Sequence, residues 1–397
     1  MTNTLPKPTT QPKQLPKKVA IVHDFLREYG GAERVVEALH ELYPEAPLFV
    51  AFADPESMGI HWQRFANWDI RQTWLSHIPF IHKIFSPLRI LAPAAFHSLD
   101  LSGFDVVISS SNAYFAKAVN VKKPANHLCY CHTPPRSLYG YSTMTDWEKH
   151  KVTKFFGTLI NHVCRVMDVR IADEVDVFIA NSDEVRQRIN KYYRRDAVVI
   201  HPPVNIPEKL SAKAEKKNGE GYFLYVNRLA FAKHPELAVQ VATKLRLPLK
   251  VVGSGKILPT LQAMAGETVE FLGSVGDESL HELYAGARAL LYPVEDEDFG
   301  IVPVEAMGYG VPVIAHRSGG PKETIVGLDD DRLSKNRPVT GIFFDDLTVE
   351  GLEAAVNVFI EQESQFNVTK IHTYAKRFDT PRFELEIAKV VQKTVTR

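Results

Sequence analysis

Cysteine is scarce: three occur in 397 residues, Cys129, Cys131 and Cys164. So small and odd a set builds no disulfide framework, and a reducing compartment is the simpler expectation. Cys129-x-Cys131-His132 has no second Cys/His cluster at ligand spacing, so no metal is expected. An excess of one charge is also missing. Lys+Arg and Asp+Glu both number 47, a formal net charge of zero, whereas a general nucleic-acid binder carries a basic surplus. No nucleic-acid partner is therefore expected. No run of about 18 apolar residues occurs, which excludes an ordinary membrane-spanning helix. Residues 1–17 are rich in Pro, Lys, Thr and Gln without the apolar stretch of a secretory signal, and read as a disordered tail. The expected location is cytoplasmic.

What is present is apolar material in a regular rhythm. Apolar residues make up 45% of the chain, enough for two cores at this length. The run VAIV at 19–22 leads through His23-Asp24 to Gly30-Gly31 and then to a helical pattern over 32–39. Further short apolar runs at 48–52, 106–109, 128–131, 177–180 and 198–200 are mostly separated by helix-like stretches. Strands alternating with helices predict a parallel, doubly wound sheet. Residues 207–220 are polar and Lys-rich without a period, and read as a linker. A second series then runs through 223–226, 249–252, 269–272, 289–292, 311–315 and 341–344. The expectation is an α/β chain of two doubly wound, Rossmann-like domains, 18–206 and 221–372, with a helix over 373–397. Ligands of such sheets bind at the carboxyl ends of the strands, where loops and helix N-termini converge.

The most informative segment is EDEDFGIVPVEAMGYG at 295–310. Gly300 frees the turn, Pro303 suits a first helical turn, and Glu305 is expected in that same turn. The amides of Phe299, Gly300, Ile301 and Val302 suit an anion at the helix N-terminus. Glu305 has the chemistry to accept hydrogen bonds from ribose hydroxyls, and Glu297 from sugar hydroxyls. Equally, Glu305 could merely complement the helix dipole, with Glu297 one solvated acid beside Glu295, Asp296 and Asp298. Arg228 and Lys233 lie five positions apart at the end of an apolar run, a pairing that suits a diphosphate. Gly30 and Gly31 let backbone amides approach a phosphate or sugar, or simply make a turn. His132 ends a strand ahead of Pro134-Pro135-Arg136; Ser182 after Asn181 reads as a helix N-cap, and Gly319-Gly320 before Glu323 as a turn.

These motifs together resemble the retaining glycosyltransferases of family 4, whose two-domain architecture is called GT-B. The segment 297–305 is similar to their Glu-x7-Glu signature, with Asp298 where a small residue is usual. Arg228-Leu229 and Lys233 resemble their phosphate site, with Asn227 and His234 at positions usually occupied by glycine. Gly253-Ser254-Gly255 resembles the turn beside the nucleotide base, and His132 matches a histidine near the donor sugar. Leu283 and Tyr284 are expected in the core. The resemblance covers about 18–370, with the motifs in the family's order. It implies a nucleotide-sugar donor as co-substrate, no cofactor or metal, and a C-terminal helix returning to the first domain. It further implies that the leaving diphosphate takes the acceptor's proton. Residues 71–140 resemble a bacterial branch that adds sugars, often mannose, to lipid-linked polysaccharide precursors, so GDP-mannose and a glycan or lipid-linked glycan acceptor are expected. The basic-aromatic stretches 71–97 and 149–170 suit peripheral contact with an anionic membrane, or ordinary helices with snorkelling basic ends. A sugar-nucleotide 2-epimerase of the same architecture and a non-catalytic scaffold are the alternatives.

Overall fold

A computed structural model of the chain describes residues 18–141, 151–211, 221–333 and 337–395, with only the backbone of 151–154. The expected tail at 1–17 and residues 212–220 of the expected linker lie outside the described residues. Two wholly parallel sheets organise the rest. The first holds β1 (Val19–His23), β2 (Leu48–Val50), β3 (Ile70–Gln72), β4 (Val106–Ser111), β5 (Asn126–Cys131), β6 (Val177–Ala180) and β7 (Ala197–Val199), in the order 3-2-1-4-5-6-7. The second holds β8 (Tyr222–Val226), β9 (Leu249–Val252), β10 (Val269–Gly273), β11 (Ala287–Tyr292), β12 (Val313–His316) and β13 (Gly341–Phe344), in the order 10-9-8-11-12-13. Strands such as β1 and β4 are buried along their whole length, which is why they read as unbroken apolar runs. The strand β3 had no such run: its Ile-Arg-Gln sequence is partly to fully exposed at the sheet edge.

Each sheet reverses its strand order once, between β1 and β4 and between β8 and β11. Chain connections leave those points in opposite directions, opening a crevice at the strands' carboxyl ends. Register then decides which side chains meet there. His23 pairs with Ser110, and Ser111 with Cys131, so His23, Ser110 and His132 stand abreast at three adjacent strand ends.

The C-terminal segment divides later than its sequence pattern suggested. Helix Val368–Ala375 places Ile371 and Tyr374 in the core of the second domain, and its His372 ring bonds the Gly308 carbonyl at 2.6 Å. Only from helix Thr380–Val395 do Phe383, Ile387 and Val391 join Ile21, Val35 and Leu39 in the first domain's core. Those two apolar stripes belong to different cores, so the expected single helix over 373–397 is broken between them.

Beyond β3, the described residues of the basic-aromatic stretches are largely helical; residues 149 and 150 lie outside the described residues. Ile81–Leu88 and Ala92–His97 pack on one face of the first sheet, their Ile81, Ala92, Ala95 and Phe96 against Ala20, Val22, Phe49 and Val107, and Lys151–Asp173 runs beside them. Among the described residues no helix is long and apolar enough to cross a membrane. The long helix nevertheless leaves Phe155, Phe156, Leu159, Val163, Val166 and Val169 exposed.

Candidate functional site

The first domain contributes a buried polar chain. His132 follows β5 and is 7% exposed. Its Nε2 lies 2.8 Å from the Ser110 hydroxyl, which lies 3.1 Å from His23 Nδ1. The same Nδ1 meets the Ser110 carbonyl at 3.1 Å, and His23 Nε2 meets Glu33 Oε1 at 3.3 Å. Burial penalises a charged His23, but the Glu33 hydrogen bond and charge, with Asp24 and the Ser110 carbonyl, outweigh it and raise its pKa. Burial, with His23's charge, pushes His132 down to about 3, so its ring is neutral at physiological pH. The other Glu33 oxygen accepts the Gly30 amide at 2.8 Å. That amide, expected to be free for a ligand, is therefore already used to start helix Gly31–Leu42. Asp24, next to His23, accepts four backbone amides from 112–116 at 2.8 to 3.0 Å. It holds the loop after β4 over the strand ends.

The second domain contributes the acids and cations. Lys233 is hydrogen-bonded to Glu297, and Tyr292 donates to the same carboxylate at 3.0 Å. Burial works to raise Glu297, but the charges of Lys233 and Arg136 and those two hydrogen bonds prevail, bringing it to about 2. It is ionised and can only accept. Glu305 lies in helix Ile301–Gly308 one turn later than expected: the first turn is 301–304, so the helix dipole does not explain it. Arg34 bonds one Glu305 oxygen and Tyr284 donates to the other at 3.0 Å. Tyr284 is in the core, as expected, yet its hydroxyl orients a site carboxylate. Arg228 is half-exposed and bonds Glu28 at 2.8 Å.

Glycines set how closely these loops approach. Gly253 has φ +133°, and a Cβ there would lie 1.9 Å from the Asn227 carbonyl oxygen. A Cβ on Gly255 would lie 1.9 Å from that of Leu229. This pair presses against the Arg228 loop. Gly319 (φ +59°) and Gly320 likewise back the Glu297–Phe299 backbone, with virtual Cβ contacts of 2.2 and 2.4 Å. They are more than a turn. Gly300 caps its helix at φ +86°, while Phe299 is buried against His201 and Phe378, leaving only its backbone for a ligand. His234, at φ +48°, holds the left-handed conformation that suits glycine. Gly31 faces Ile301 across the interdomain space, its virtual Cβ 2.8 Å from Ile301 Cδ1. Val302, next in the same helix, is partly exposed.

Charged contacts tie the two halves together. Asp298 accepts Arg136 at 2.9 Å and also the buried Arg188, which accounts for an acid beside Glu297. Ser182 caps helix Asp183–Tyr193 as expected, accepting Val185 N at 3.0 Å, and Glu323 reaches across to accept the amides of Asp183 and Glu184 at 2.7 and 2.8 Å. The sequence reading passed over Ser110, His23, Arg34, Glu28 and Arg188. Three consecutive serines ending a buried strand, and two charged residues after Gly31-Ala32, were the available signals. Among the described residues no group of three or more His, Cys, Asp or Glu is arranged to hold a metal.

Comparison with known proteins covers nearly the whole chain. Residues 29–207 match the family model described as Glycosyltransferase Family 4, and 207–377 match that of the Glycosyl transferases group 1. Over 381 residues the chain is 27% identical to the alpha-1,3/1,6-mannosyltransferase ALG2 of Candida glabrata, covering 80% of each. The Kluyveromyces lactis ALG2 is 29% identical over 248 residues, covering 49% of this chain and 48% of that protein. A GDP-mannose-dependent alpha-mannosyltransferase of Mycolicibacterium smegmatis is 33% identical over 132 residues, 33% of this chain and 32% of that one. The solved structure of Anabaena Alr3699/HepE in complex with UDP and glucose shares the fold with a TM-score of 0.66 at 17% identity, covering 94% of this chain and 99% of that one.

Proposed function

The chain belongs to the family 4 glycosyltransferases, of GT-B fold, and on that footing we propose that it transfers mannose from GDP-mannose, with retention, to a glycan or lipid-linked glycan. One observation carries this reading: Glu297 and Glu305 each meet a cation, Lys233 and Arg34, in the space where both sheets reverse their strand order. A nucleotide sugar supplies what such a set lacks, a diphosphate for the cations and hydroxyls for the acids. Lys233, Arg228 and the helix start at Gly300 stabilise charge growing on the departing diphosphate. Glu297, ionised, grips hydroxyls of the transferred sugar, and Glu305 those of the ribose. The leaving phosphate accepts the acceptor's proton, so no separate protein base is required, and the cations stand where a metal would otherwise neutralise charge. Mannose and guanosine are supported by the names of the ALG2 and Mycolicibacterium relatives.

The lipid-linked side of the proposal rests on the exposed Phe155, Phe156 and Leu159, with Phe80 and Ile84 also exposed and Lys83, Arg165 and Arg170 among them. Basic and aromatic side chains on one domain suit the surface of an anionic membrane.

A panel of GDP- and UDP-sugars tests the donor, because a ligand of the folded state raises the melting temperature. GDP-mannose is expected to stabilise most and to support turnover in excess chelator. Arg228→Ala is expected to cut that turnover by about 10²–10³ without lowering stability, since its partner Glu28 is itself half-exposed. A UDP-sugar preference would replace the donor assignment; turnover restored only by Mg²⁺ or Mn²⁺ would remove metal independence; a normal rate in Arg228→Ala would remove the phosphate site.

A further inference from the structure

A histidine near a reacting sugar has two available roles, base or hydrogen-bond donor, and the difference lies in which ring nitrogen is protonated. The neighbours of His132 decide it. The Ser110 carbonyl and the Glu33 carboxylate can only accept, so in the charged form that Glu33 favours His23 carries hydrogen on both Nδ1, 3.1 Å from that carbonyl, and Nε2. The Ser110 hydroxyl therefore cannot donate to His23. Its remaining partner is His132 Nε2 at 2.8 Å. Were His132 protonated at Nε2, the Ser110 hydroxyl would receive hydrogens from both rings, and its own would be left without an acceptor in a residue with no exposed surface. Beside a charged His23 the network is satisfied when Ser110 donates to His132 Nε2. The lone pair of Nε2 is thereby occupied, and the proton of the neutral ring sits on Nδ1. That nitrogen has no hydrogen-bond partner among the described residues.

We infer that Ser110 is a positioning residue which, backed by His23 and Glu33, holds His132 as the Nδ1–H tautomer, so that His132 meets the nucleotide sugar as a hydrogen-bond donor and not as a base. The consequence is chemical. A ring whose only lone pair is engaged cannot take the acceptor's proton, which leaves that proton to the departing phosphate. Glu33 holds the far end: it binds His23 Nε2 and, through the Gly30 amide, fixes the relay to the first turn of helix Gly31–Leu42. The inference rests on the reading of His132 as a sugar-facing residue, but the tautomer is measurable without it.

The test is nitrogen NMR of the full-length enzyme labelled with ¹⁵N-histidine, the His132 signals being assigned by their loss in His132→Gln. The expected result is a bare Nε2 and a protonated Nδ1 at pH 5.5–6.5, where His23 is charged. In Ser110→Ala the ring is expected to move to the Nε2–H form or a mixture, with kcat falling about tenfold or more, as when the partner orienting a functional imidazole is removed. Ser110→Thr, which keeps the hydroxyl, is expected to restore both. A wild-type Nε2–H ring overturns the inference, as does an unchanged tautomer in folded Ser110→Ala. Should Ser110→Ala not fold, the wild-type spectrum alone decides. Full activity in His132→Ala would instead remove the sugar-facing role and leave the tautomer result standing.

Discussion

Two buried histidines and one buried glutamate show opposite solutions to the same desolvation problem. Glu297 keeps its charge because Lys233, Arg136 and Tyr292 supply compensation within reach. His127 and His132 give up theirs. His127 bonds the Ser109 hydroxyl at 2.8 Å, and burial takes it to about 4. Folded-state values below the ordinary 6.5 mean that the unfolded chain binds protons first. Their contribution is therefore intact above pH 6.5 and is lost as pH falls toward 4, at up to about 1.4 kcal/mol per pH unit for each group. His23, whose pKa is raised, acts in the other direction: it stabilises fully below its ordinary value and loses that contribution as pH rises through the folded one. Urea midpoints measured from pH 7 to 4.5 should fall, and His127→Gln should flatten the slope. A level wild-type profile would contradict the burial of these rings as neutral groups. Glu297, Glu305, Arg228, Lys233 and the glycines beside them were legible in the sequence as motifs, whereas His23, Glu28, Arg34 and Arg188, which stand outside any motif, were not. Nor was Ser110, because a serine's role depends on what its hydroxyl faces.

At the level of elements, the glycine turns act as backing plates for the loops that bear the charges. Gly253 and Gly255 press on 227–229, and Gly319 and Gly320 on 297–299, in each case backbone against backbone. Such contacts leave no room for a methyl group, and the left-handed conformation of Gly319 adds strain of about 1–3 kcal/mol for any other residue. Gly319→Ala should lower the melting temperature and weaken donor binding together, since the displaced atoms belong to Glu297. Gly103→Ala, where a Cβ meets nothing within 4 Å, should do neither. Equal behaviour of the two variants would refute the backing role. The glycines could be counted in the sequence, but their partners lie between 21 and 26 residues away and are joined only by strand order.

The molecule as a whole is held together by pairs that cross between its halves: Arg34 with Glu305, Arg228 with Glu28, Arg64 with Asp277, and Asp298 with Arg136 and Arg188. Two of the groups in these pairs, Glu305 and Arg228, are proposed to bind the donor, so ligand entry must exchange internal partners for phosphate and hydroxyl groups. The outer face of the first domain carries the apolar stripe of helix Lys151–Asp173. The protein should float with anionic vesicles at low salt, and Phe155→Ser with Phe156→Ser should abolish this without changing stability, both rings being exposed. Absence of binding by the wild type would remove the membrane contact. Alternating apolar runs and punctuating glycines determined by themselves the two parallel sheets, most strand positions and the acid and cation motifs, because burial on both faces and turn geometry are local demands on residue type. Only the tertiary structure decided that Glu305 meets Arg34, that Asp298 sits between two arginines and that Ser110 stands between His132 and His23. Those contacts join residues from 22 to 271 positions apart, brought together by strand register and by the facing of two domains, neither of which leaves a periodic trace in the chain.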